Sequence, residues 1–435
     1  MLPPPLAQTA AARSTPRRPA DHASPLLALF LETREATEAL CEPLSSEDFL
    51  VQSMPATRPV KWHLAHTTYL FEAALLIARL RRYRPFHPRF GCLFGGWEAK
   101  ELDRSACGLL SRPSIEQVFS YRRYVDEQVE RLLSDADELE AAELAESLLF
   151  GISHEQRHQE AMLADLLHAF WRNPLRPEYR PPAPSRPGTS LPLEWKAGPE
   201  GLCSIGAPDG DFALEHERPR HRVFLQPFEL ASRLVTNGEL LAFVSDAGYR
   251  RPELWQPEGW RIARAEGWSA PLYWERSEGR WMQMTLAGMT ALDEAEPASH
   301  LSWFEADAFA RWSGARLPTE AEWETVASTM SLSGNFLESE LLRPTVADGR
   351  ADAPAQLFGD VWEWTASPFV PYPGTRQGPA RPGAHDEDAQ ADNCRVLRGG
   401  SCATPQGHMR PSLRKLLAPE ARWHFTGLRL ARERR

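Results

Sequence analysis

The stretch that decides the architecture of the N-terminal half reads Ser153-His154-Glu155-Gln156-Arg157-His158-Gln159-Glu160, within a long run of helical periodicity. Residues four apart on an α-helix lie one above the other, so His154 and His158 direct two imidazoles toward one point. Earlier in the chain, Val60-Lys61-Trp62-His63-Leu64-Ala65-His66 supplies His66 as a third candidate. Three neutral imidazoles hold a first-row metal and leave positions open for substrate and dioxygen. A lone His-x-x-x-His pair also fits a surface or packing role. The rest of the sequence must therefore decide whether these histidines bind metal.

The segment 26–172 is predicted to form a four-helix bundle, because its apolar residues recur at helical spacing in four runs. The runs cover residues 26–40, 64–80, 118–132 and 140–171. Ser114 stands where the N-cap of the third helix is expected. Long helices with one longer connection, residues 84–112, indicate an up-and-down bundle, whose core is a common place for a metal.

The remainder of the chain differs from the bundle in residue composition and in sequence pattern. Residues 1–25 are rich in Pro, Ala and Arg and are predicted to be a disordered tail. Residues 173–195 are predicted to be a linker, because they contain many prolines and few apolar residues. Residues 196–435 carry most of the tryptophans among short strand-like runs and glycines, which predicts an α+β domain with many loops.

Composition excludes several classes of function. A net charge of −10 and the absence of a basic cluster argue against a nucleic-acid partner. No stretch is long and apolar enough to predict a membrane span, and the N-terminus lacks the apolar core of a secretory signal. The six cysteines are scattered without a Cys-x-x-Cys pair, so a reduced, cytoplasmic protein with free thiols is expected.

The second half carries six short motifs in a characteristic order. They are Leu234-Val235-Thr236-Asn237, Ser302-Trp303-Phe304-Glu305-Ala306, Ala315-Arg316-Leu317-Pro318-Thr319-Glu320-Ala321-Glu322-Trp323-Glu324, Gly359-Asp360-Val361-Trp362-Glu363-Trp364-Thr365, Val396-Leu397-Arg398-Gly399-Gly400-Ser401 and Gly427-Leu428-Arg429-Leu430-Ala431-Arg432. Residues 196–435 therefore resemble the formylglycine-generating-enzyme (sulfatase-modifying factor) fold, a variant of the C-type-lectin scaffold. A fold alone does not state the chemistry.

The N-terminal motifs extend this resemblance to a reaction. Leu64-Ala65-His66 and His154-x-x-x-His158-x-Glu160, followed by such a domain, resemble the ergothioneine-type sulfoxide synthases. That family pairs a damage-inducible-B-like four-helix bundle with a domain of this kind, and uses Fe(II) and O2 to join a sulfur donor to the imidazole C2 of hercynine. The resemblance implies that His66, His154 and His158 are the iron ligands.

Two neighbouring residues are assigned other roles. Glu160 follows His158 by two residues, about 200° round the helix, so it does not share their metal and is assigned a structural or supporting role. His63 lies one turn before His66 and faces a similar direction. A packing or supporting role is the stronger interpretation for His63.

The chain departs from the family where the sulfur donor is bound. Members that use γ-glutamylcysteine carry two arginines three apart before Gly-Leu-Leu-Ser-Arg-Pro, whereas this chain has Arg104 and then Cys107. An arginine binds a carboxylate through two parallel hydrogen bonds, so the loss of one arginine greatly changes which donor the site can recognise. Near the C-terminus, Leu416 and Leu417 stand where the family has polar groups that contact the donor. All four positions are predicted to bind substrate.

The family's proton-donating tyrosine is also missing from its usual stretch. Residues 374–395 contain no tyrosine, and Tyr372 is the one nearby. Tyr372 is therefore the candidate catalytic residue, although a loop-packing role fits it equally well.

These departures resemble the family's selenoneine synthase branch, which joins hercynine to a selenosugar that carries neither carboxylate nor ammonium. The resemblance implies a functional link to a selenosugar synthase. Hercynine's carboxylate is predicted to meet Arg157, and its quaternary ammonium an aromatic face such as that of Trp423. Further aromatic candidates are Trp62, Tyr69, Trp362, Trp364 and Phe369.

Three alternatives remain open at this stage. The first is an ergothioneine sulfoxide synthase that takes cysteine, γ-glutamylcysteine or another thiol. The second is a formylglycine-generating enzyme, which needs a cysteine pair for copper; Cys394 and Cys402 are the candidates, but the helical half has no place in that enzyme. The third is a non-catalytic lectin-like binding module, for which the three histidines would be superfluous.

Overall fold

The computed structural model describes residues 25–95, 104–182, 188–347, 353–375 and 393–434. The tail predicted for residues 1–25 lies outside the described residues except for Pro25. Among the described residues, no helix combines the length and apolar character needed to cross a lipid bilayer.

The N-terminal half is helical, as the periodicity predicted. Its helices are α1 (Pro25–Ala39), α2 (Val60–Phe71), α3 (Phe90–Phe94), α4 (Ile115–Asp135) and α5 (Glu138–Arg172). A π-helical segment, Glu72–Ile77, continues α2, and 3₁₀ turns cover Asp48–Leu50 and Arg104–Leu109.

Both long helices begin at a reciprocal side-chain cap. Ser114 accepts a hydrogen bond from the backbone N–H of Gln117, whose side chain reaches back to Ser114, and Asp137 and Glu140 form the same arrangement before α5. The N-cap predicted at Ser114 is therefore confirmed. Helix α5 packs against α1 and α2, and Gly151 makes this approach possible, since a Cβ there would lie 2.4 Å from Phe71 Cε1.

The second half mixes short helices with small sheets. Its helices are α6 (Asn237–Ser245), α7 (Pro257–Ala265), α8 (Trp303–Trp312) and α9 (Glu320–Ala327), with 3₁₀ turns at Glu215–Glu217, Gly248–Arg250, Pro252–Leu254, Leu337–Ser339 and Gln406–His408. Its strands are β1 (Trp195–Ala197), β2 (Gly201–Ile205), β3 (His221–Leu225), β4 (Phe228–Ala231), β5 (Trp274–Ser277), β6 (Arg280–Thr285), β7 (Gly288–Ala291), β8 (Trp362–Pro368), β9 (Arg395–Arg398), β10 (Lys415–Leu417), β11 (Thr426–Gly427) and β12 (Ala431–Glu433).

These strands form four small sheets within the described residues. Their strand orders are β1-β4-β12, β10-β9-β8-β11, β2-β3 and β5-β6-β7, and every pair is antiparallel except β8 with β11. The sheet β10-β9-β8-β11 matters most for function, because β8 and β10 bring Trp362 and Lys415 against helix α5. The mixed α+β class predicted from the sequence is confirmed.

The predicted linker makes contacts with both halves. Tyr179 is buried, donates its hydroxyl proton to the carbonyl of Leu40 at 2.6 Å, and donates its backbone N–H to Leu286 at 2.9 Å. The first contact lies just beyond α1 and the second just beyond β6. The segment around Tyr179 is thus held against both halves.

Candidate metal centre and adjoining cleft

Three buried histidines converge in the core of the bundle. His66 on α2 and His154 and His158 on α5 each bring one ring nitrogen to within 4.8 Å of the others. The Nε2 atoms of His66 and His154 are 3.0 Å apart. In the part of the chain that the structure describes, this is the one group of three or more ligand-type side chains close enough to share an ion.

His66 already has the tautomer that a metal ligand needs. Its Nδ1 lies 2.6 Å from the carbonyl oxygen of Phe94, which can only accept a hydrogen bond. Nδ1 therefore carries the proton, and the lone pair of Nε2 faces the other two histidines. Trp62 stacks on this ring at 4.4 Å and 11° and fixes its plane.

His158 reaches the same tautomer through two further side chains. The carboxylate of Asp165 accepts from His63 Nε2 at 3.2 Å, so His63 Nδ1 accepts from His158 Nδ1 at 2.9 Å. His158 Nε2 is left with a lone pair, is buried, and has no hydrogen-bond partner among the described residues. A buried polar atom without a partner is expected to bind an ion or a water molecule, and a metal ion fits here.

His154 is the exception among the three. Arg157 Nη2 lies 3.0 Å from His154 Nδ1, and a guanidinium only donates. The proton of neutral His154 is therefore on Nε2, where it donates to His66. Binding a metal through this Nε2 requires the proton to move to Nδ1, so Arg157 must turn away from His154.

Electrostatics keep two of the histidines neutral, which is the form that binds metal. Burial lowers the pKa of His154 and of His158 well below the ordinary value. The charge of Arg157 lowers the pKa of His154 further, and the pKa of His158 is lowered further by the repulsion that would arise if His154 were protonated as well. Three neutral imidazole nitrogens suit a first-row transition metal, so the residues fit the metal that the sequence predicted.

A buried ionic network holds the bundle at the level of the histidines. Glu155 accepts from Arg34 at 2.6 Å, from Arg122 at 3.0 Å and from Thr37 at 2.7 Å. Burial alone would raise the pKa of Glu155, but the two guanidinium groups hold it below the ordinary value. These contacts tie α1, α4 and α5 together next to His154.

A cleft of about 420 Å³, counting its opening to solvent, lies between α5 and the second half. Arg157 lines the cleft and contacts His154, so the cleft adjoins the three histidines. The other lining residues are Glu160, Leu214, His216, Trp362, His408, Leu413, Arg414, Lys415 and Leu416. Three of the ten are permanent cations and one is a carboxylate, which favours an anionic ligand group.

Glu160 joins the bundle to the second half across this cleft. Its carboxylate accepts from Trp362 Nε1 at 2.8 Å, from Thr404 Oγ1 at 2.7 Å, from Lys415 Nζ at 2.9 Å and from Ser401 Oγ at 3.2 Å. All four donors belong to the second half. Glu160 thus points away from the three histidines, in line with the structural role assigned to it.

Some of the predicted substrate-binding residues line the cleft and others do not. Arg157 and Leu416 line the cleft. Cys107 is buried in the apolar core of the bundle, and Leu417 packs against the apolar core of the second half, so neither lies among the described lining residues. The side chain of Arg104 lies outside what the structure describes.

Two further predicted residues, Trp423 and Tyr372, are not among the described lining residues of the cleft. Trp423 donates its indole N–H to Asp165 Oδ1 at 3.2 Å, behind His63. Tyr372 is buried, accepts from Arg398 at 3.1 Å, and has Arg414 over its ring at 4.2 Å. Burial raises the pKa of Tyr372 to about 12. Its catalytic role stays a prediction, since no recorded contact within the described residues joins it to the three histidines.

Sequence reasoning missed several residues of the site. His216, His408 and Lys415 line the cleft, and none of the three was singled out from the sequence. Asp165 was not singled out, although it follows His158 by seven residues and shares a helix face with it. That spacing is the signal that could have found it.

The cysteine pair weighed for copper is not assembled. Cys394 packs in a small apolar cluster with Val396 and Leu416, whereas Cys402 is fully buried in the larger cluster that includes the bundle core. A copper site of the formylglycine-generating type would need the two thiols together.

Comparison with protein families defines the class of the protein. A model of the DinB superfamily matches residues 29–162. A model of the sulfatase-modifying factor enzyme 1-like domain matches residues 198–352 and 354–434. The chain is a DinB-type helical domain followed by a domain of the sulfatase-modifying factor type, as predicted.

Known relatives narrow the class to one family. The chain is 31% identical to hercynine oxygenase from Mycolicibacterium thermoresistibile, over 94% of this chain and 95% of the relative. It is also 31% identical to hercynine oxygenase from Mycolicibacterium smegmatis, over 92% and 96% of the two chains. A formylglycine-generating enzyme from Streptomyces coelicolor, 29% identical, matches only 47% of this chain. The chain belongs to the hercynine oxygenase family.

Proposed function

We propose that this protein is an iron- and dioxygen-dependent enzyme that joins a reduced sulfur or selenium donor to the imidazole C2 of hercynine. The observation that carries the proposal is the buried His66, His154 and His158 cluster, with the unpaired His158 Nε2 facing it. The cleft beside this cluster and the near full-length match to hercynine oxygenases support the same reaction.

The overall reaction balances with dioxygen as the oxidant. The C2–H bond of hercynine and the X–H bond of the donor break, where X is sulfur or selenium, and a C2–X bond forms. One oxygen atom leaves as water with both hydrogens, and the other stays on X as the oxide. The iron supplies the activation of dioxygen when it is bound.

The side chains of the cleft bind and orient the substrates. Arg157 lies between the cleft and His154, so a substrate carboxylate competes with His154 Nδ1 for its guanidinium. A carboxylate held there, such as that of hercynine, draws Arg157 away from His154. The same movement permits the tautomer that His154 needs as a ligand, so hercynine and metal are expected to favour each other's binding.

A sulfur donor is the better supported of the two donor classes. The relatives that match this chain along nearly its whole length are hercynine oxygenases, and the ergothioneine-type reaction is the one that the sequence motifs resemble. The reaction with cysteine, γ-glutamylcysteine or another thiol is therefore the reference against which a selenium donor must be compared.

One structural observation favours a selenosugar. The single carboxylate in the described lining, Glu160, already accepts hydrogen bonds from four donors of the protein. An amino-acid-shaped donor would find no free carboxylate there for its ammonium group, whereas a selenosugar needs none. A selenol is also more acidic than a thiol, whose pKa of about 8.5 leaves it mostly protonated at neutral pH.

The test is a donor competition with anaerobically purified, Fe(II)-loaded protein. Hercynine and air-saturated buffer are supplied with a 1-selenosugar, cysteine or γ-glutamylcysteine, and the coupled products are measured by mass spectrometry. Coupling at C2 with any donor, lost in His158→Ala protein, is the expected result. Higher kcat/KM for the selenosugar would select selenium, and higher kcat/KM for a thiol would select sulfur. Oxygen-dependent coupling with none of the donors would contradict the proposed function.

A further inference from the structure

A series of hydrogen bonds lies behind the histidine cluster, and His158 at its end is the one member predicted to bind metal. It runs from Trp423 through Asp165 and His63 to His158. Trp423 Nε1 donates to Asp165 Oδ1 at 3.2 Å, and His63 Nε2 donates to Asp165 Oδ2 at 3.2 Å. His158 Nδ1 donates to His63 Nδ1 at 2.9 Å. His63, His158 and Asp165 are buried, and Trp423 is partly buried against the apolar core.

The direction of every hydrogen bond in this series is fixed by one end. Asp165 also accepts the backbone N–H of Arg58 at 2.7 Å, so its carboxylate receives three donors and offers none. His63 must therefore carry its proton on Nε2, and its Nδ1 can only accept. His158 then carries its proton on Nδ1, which leaves Nε2 free for a ligand bond.

These hydrogen bonds connect one half of the protein to the other. His63 and His158 lie on α2 and α5 of the bundle, and Asp165 lies two turns further along α5. Trp423 belongs to the second half, between β10 and β11. The second half therefore supports a candidate metal ligand that it does not itself contain.

We propose that His63, Asp165 and Trp423 are positioning residues that hold His158 in its metal-binding tautomer, so that the second half sets the metal affinity of the bundle. This inference rests on the proposed metal centre. Carboxylate–histidine support of a ligand orients the ring and raises its basicity, and losing it costs about 10–100-fold in metal affinity. If these residues were merely structural, replacing them would lower the stability of the protein without changing its metal affinity or the spectrum of the bound metal.

The asparagine variant of Asp165 separates these roles. Asp165→Asn leaves one acceptor oxygen for three donors. Its NH2 group faces either Trp423 Nε1, at the position of Oδ1, or His63 Nε2 together with the backbone N–H of Arg58, at the position of Oδ2. If the amide nitrogen faces His63, both histidines change tautomer and His158 Nε2 becomes protonated. Trp423→Phe keeps an aromatic ring but removes the competing N–H, which lets the amide oxygen face His63 again. The double variant is therefore expected to bind metal more tightly than Asp165→Asn alone.

The experiment is a Co(II) titration of the full-length protein, with the visible spectrum of bound Co(II) as a readout that is independent of activity. His63→Phe and Asp165→Asn are expected to weaken Co(II) binding by about 10–100-fold and to alter the spectrum. His168→Phe is the matched control. His168 is another buried histidine of α5, but its Nδ1 pairs with Ser53 at 2.7 Å and it takes no part in the hydrogen bonds from Trp423 to His158. Circular dichroism checks each fold, and His63→Gln replaces His63→Phe if the latter does not fold.

The outcomes distinguish this inference from the function on which it rests. Weaker binding in the His63 and Asp165 variants, recovery in Asp165→Asn/Trp423→Phe, and an unchanged His168→Phe would support it. Wild-type protein that binds one Co(II), together with His63 variants of unchanged affinity and spectrum, would overturn the positioning role and leave the metal centre standing. Wild-type protein that binds no Co(II) would overturn both.

Discussion

Replacing Glu160 with glutamine is expected to weaken the junction between the two halves while leaving metal binding intact. The side chain of Glu160 is 2% exposed and that of Lys415 is 11% exposed, and their charged groups are 2.9 Å apart. Glutamine has nearly the same shape and can still accept from Trp362 and Lys415 through its oxygen. Its nitrogen can donate to the hydroxyl of Thr404. The variant therefore removes the negative charge and little else.

The expected loss follows from that charge. A hydrogen bond to a charged group contributes about 1.5–3 kcal/mol, and the amide retains part of it. We expect Glu160→Gln to lower the free energy of unfolding by about 2 kcal/mol, and the Tm by roughly 2–4 °C. Lys415→Met should be destabilising by itself, because it leaves a buried carboxylate without its cation.

A double-mutant cycle measures the interaction directly. Glu160→Gln, Lys415→Met and the double variant are compared by calorimetry, with Co(II) stoichiometry recorded for each. The two substitutions should couple by about 1–2 kcal/mol, because each removes the same pair. A coupling energy near zero, or loss of Co(II) from Glu160→Gln, would refute the reasoning that Glu160 serves the junction and not the metal.

Three further predictions concern the bundle and a second, partly buried carboxyl group. His154→Ala should abolish stoichiometric metal binding and activity, because a three-ligand site rarely survives the loss of one ligand; elemental analysis checks this, and one iron per chain would contradict it. Gly151→Ala should lower the free energy of unfolding by about 1–3 kcal/mol in denaturant titrations, since its Cβ would lie 2.4 Å from Phe71 Cε1; a stabilised variant would contradict the close packing. Burial raises the pKa of Glu296 from 4.5 to about 7, so the folded carboxyl keeps a proton that the unfolded chain releases. Stability should therefore fall as the pH rises from about 4.5 to 7, and Glu296→Gln should flatten this slope in thermal unfolding at several pH values.

The sequence predicted the histidine cluster better than the lining of the cleft, because helical spacing is a local property. His154 and His158 share a helix, so a separation of four residues suffices to place them together. Ser114 likewise identified a helix start through its own side chain and that of Gln117. His66 came from resemblance, and the structure brings it to the other two.

The cleft could not be predicted with the same certainty, because its residues come from loops and strand ends far apart in the chain. Leu416 and Leu417 are adjacent in strand β10, yet of the two only Leu416 lines the cleft, beside Lys415, whereas Leu417 packs against the apolar core of the second half. The contact predicted between the ring face of Trp423 and hercynine stays a prediction, and the sequence did not indicate that the indole N–H bonds to Asp165. Only tertiary packing decides which partner such an aromatic residue meets.

The most direct test of the account is an anaerobic crystal structure of the Fe(II)-loaded protein with hercynine. It is expected to show one iron about 2.0–2.2 Å from the Nε2 atoms of His66, His154 and His158. The carboxylate of hercynine should contact Arg157, which should have left His154 Nδ1, and the imidazole C2 should face the iron. Iron bound elsewhere, or hercynine bound away from the cleft, would contradict the account.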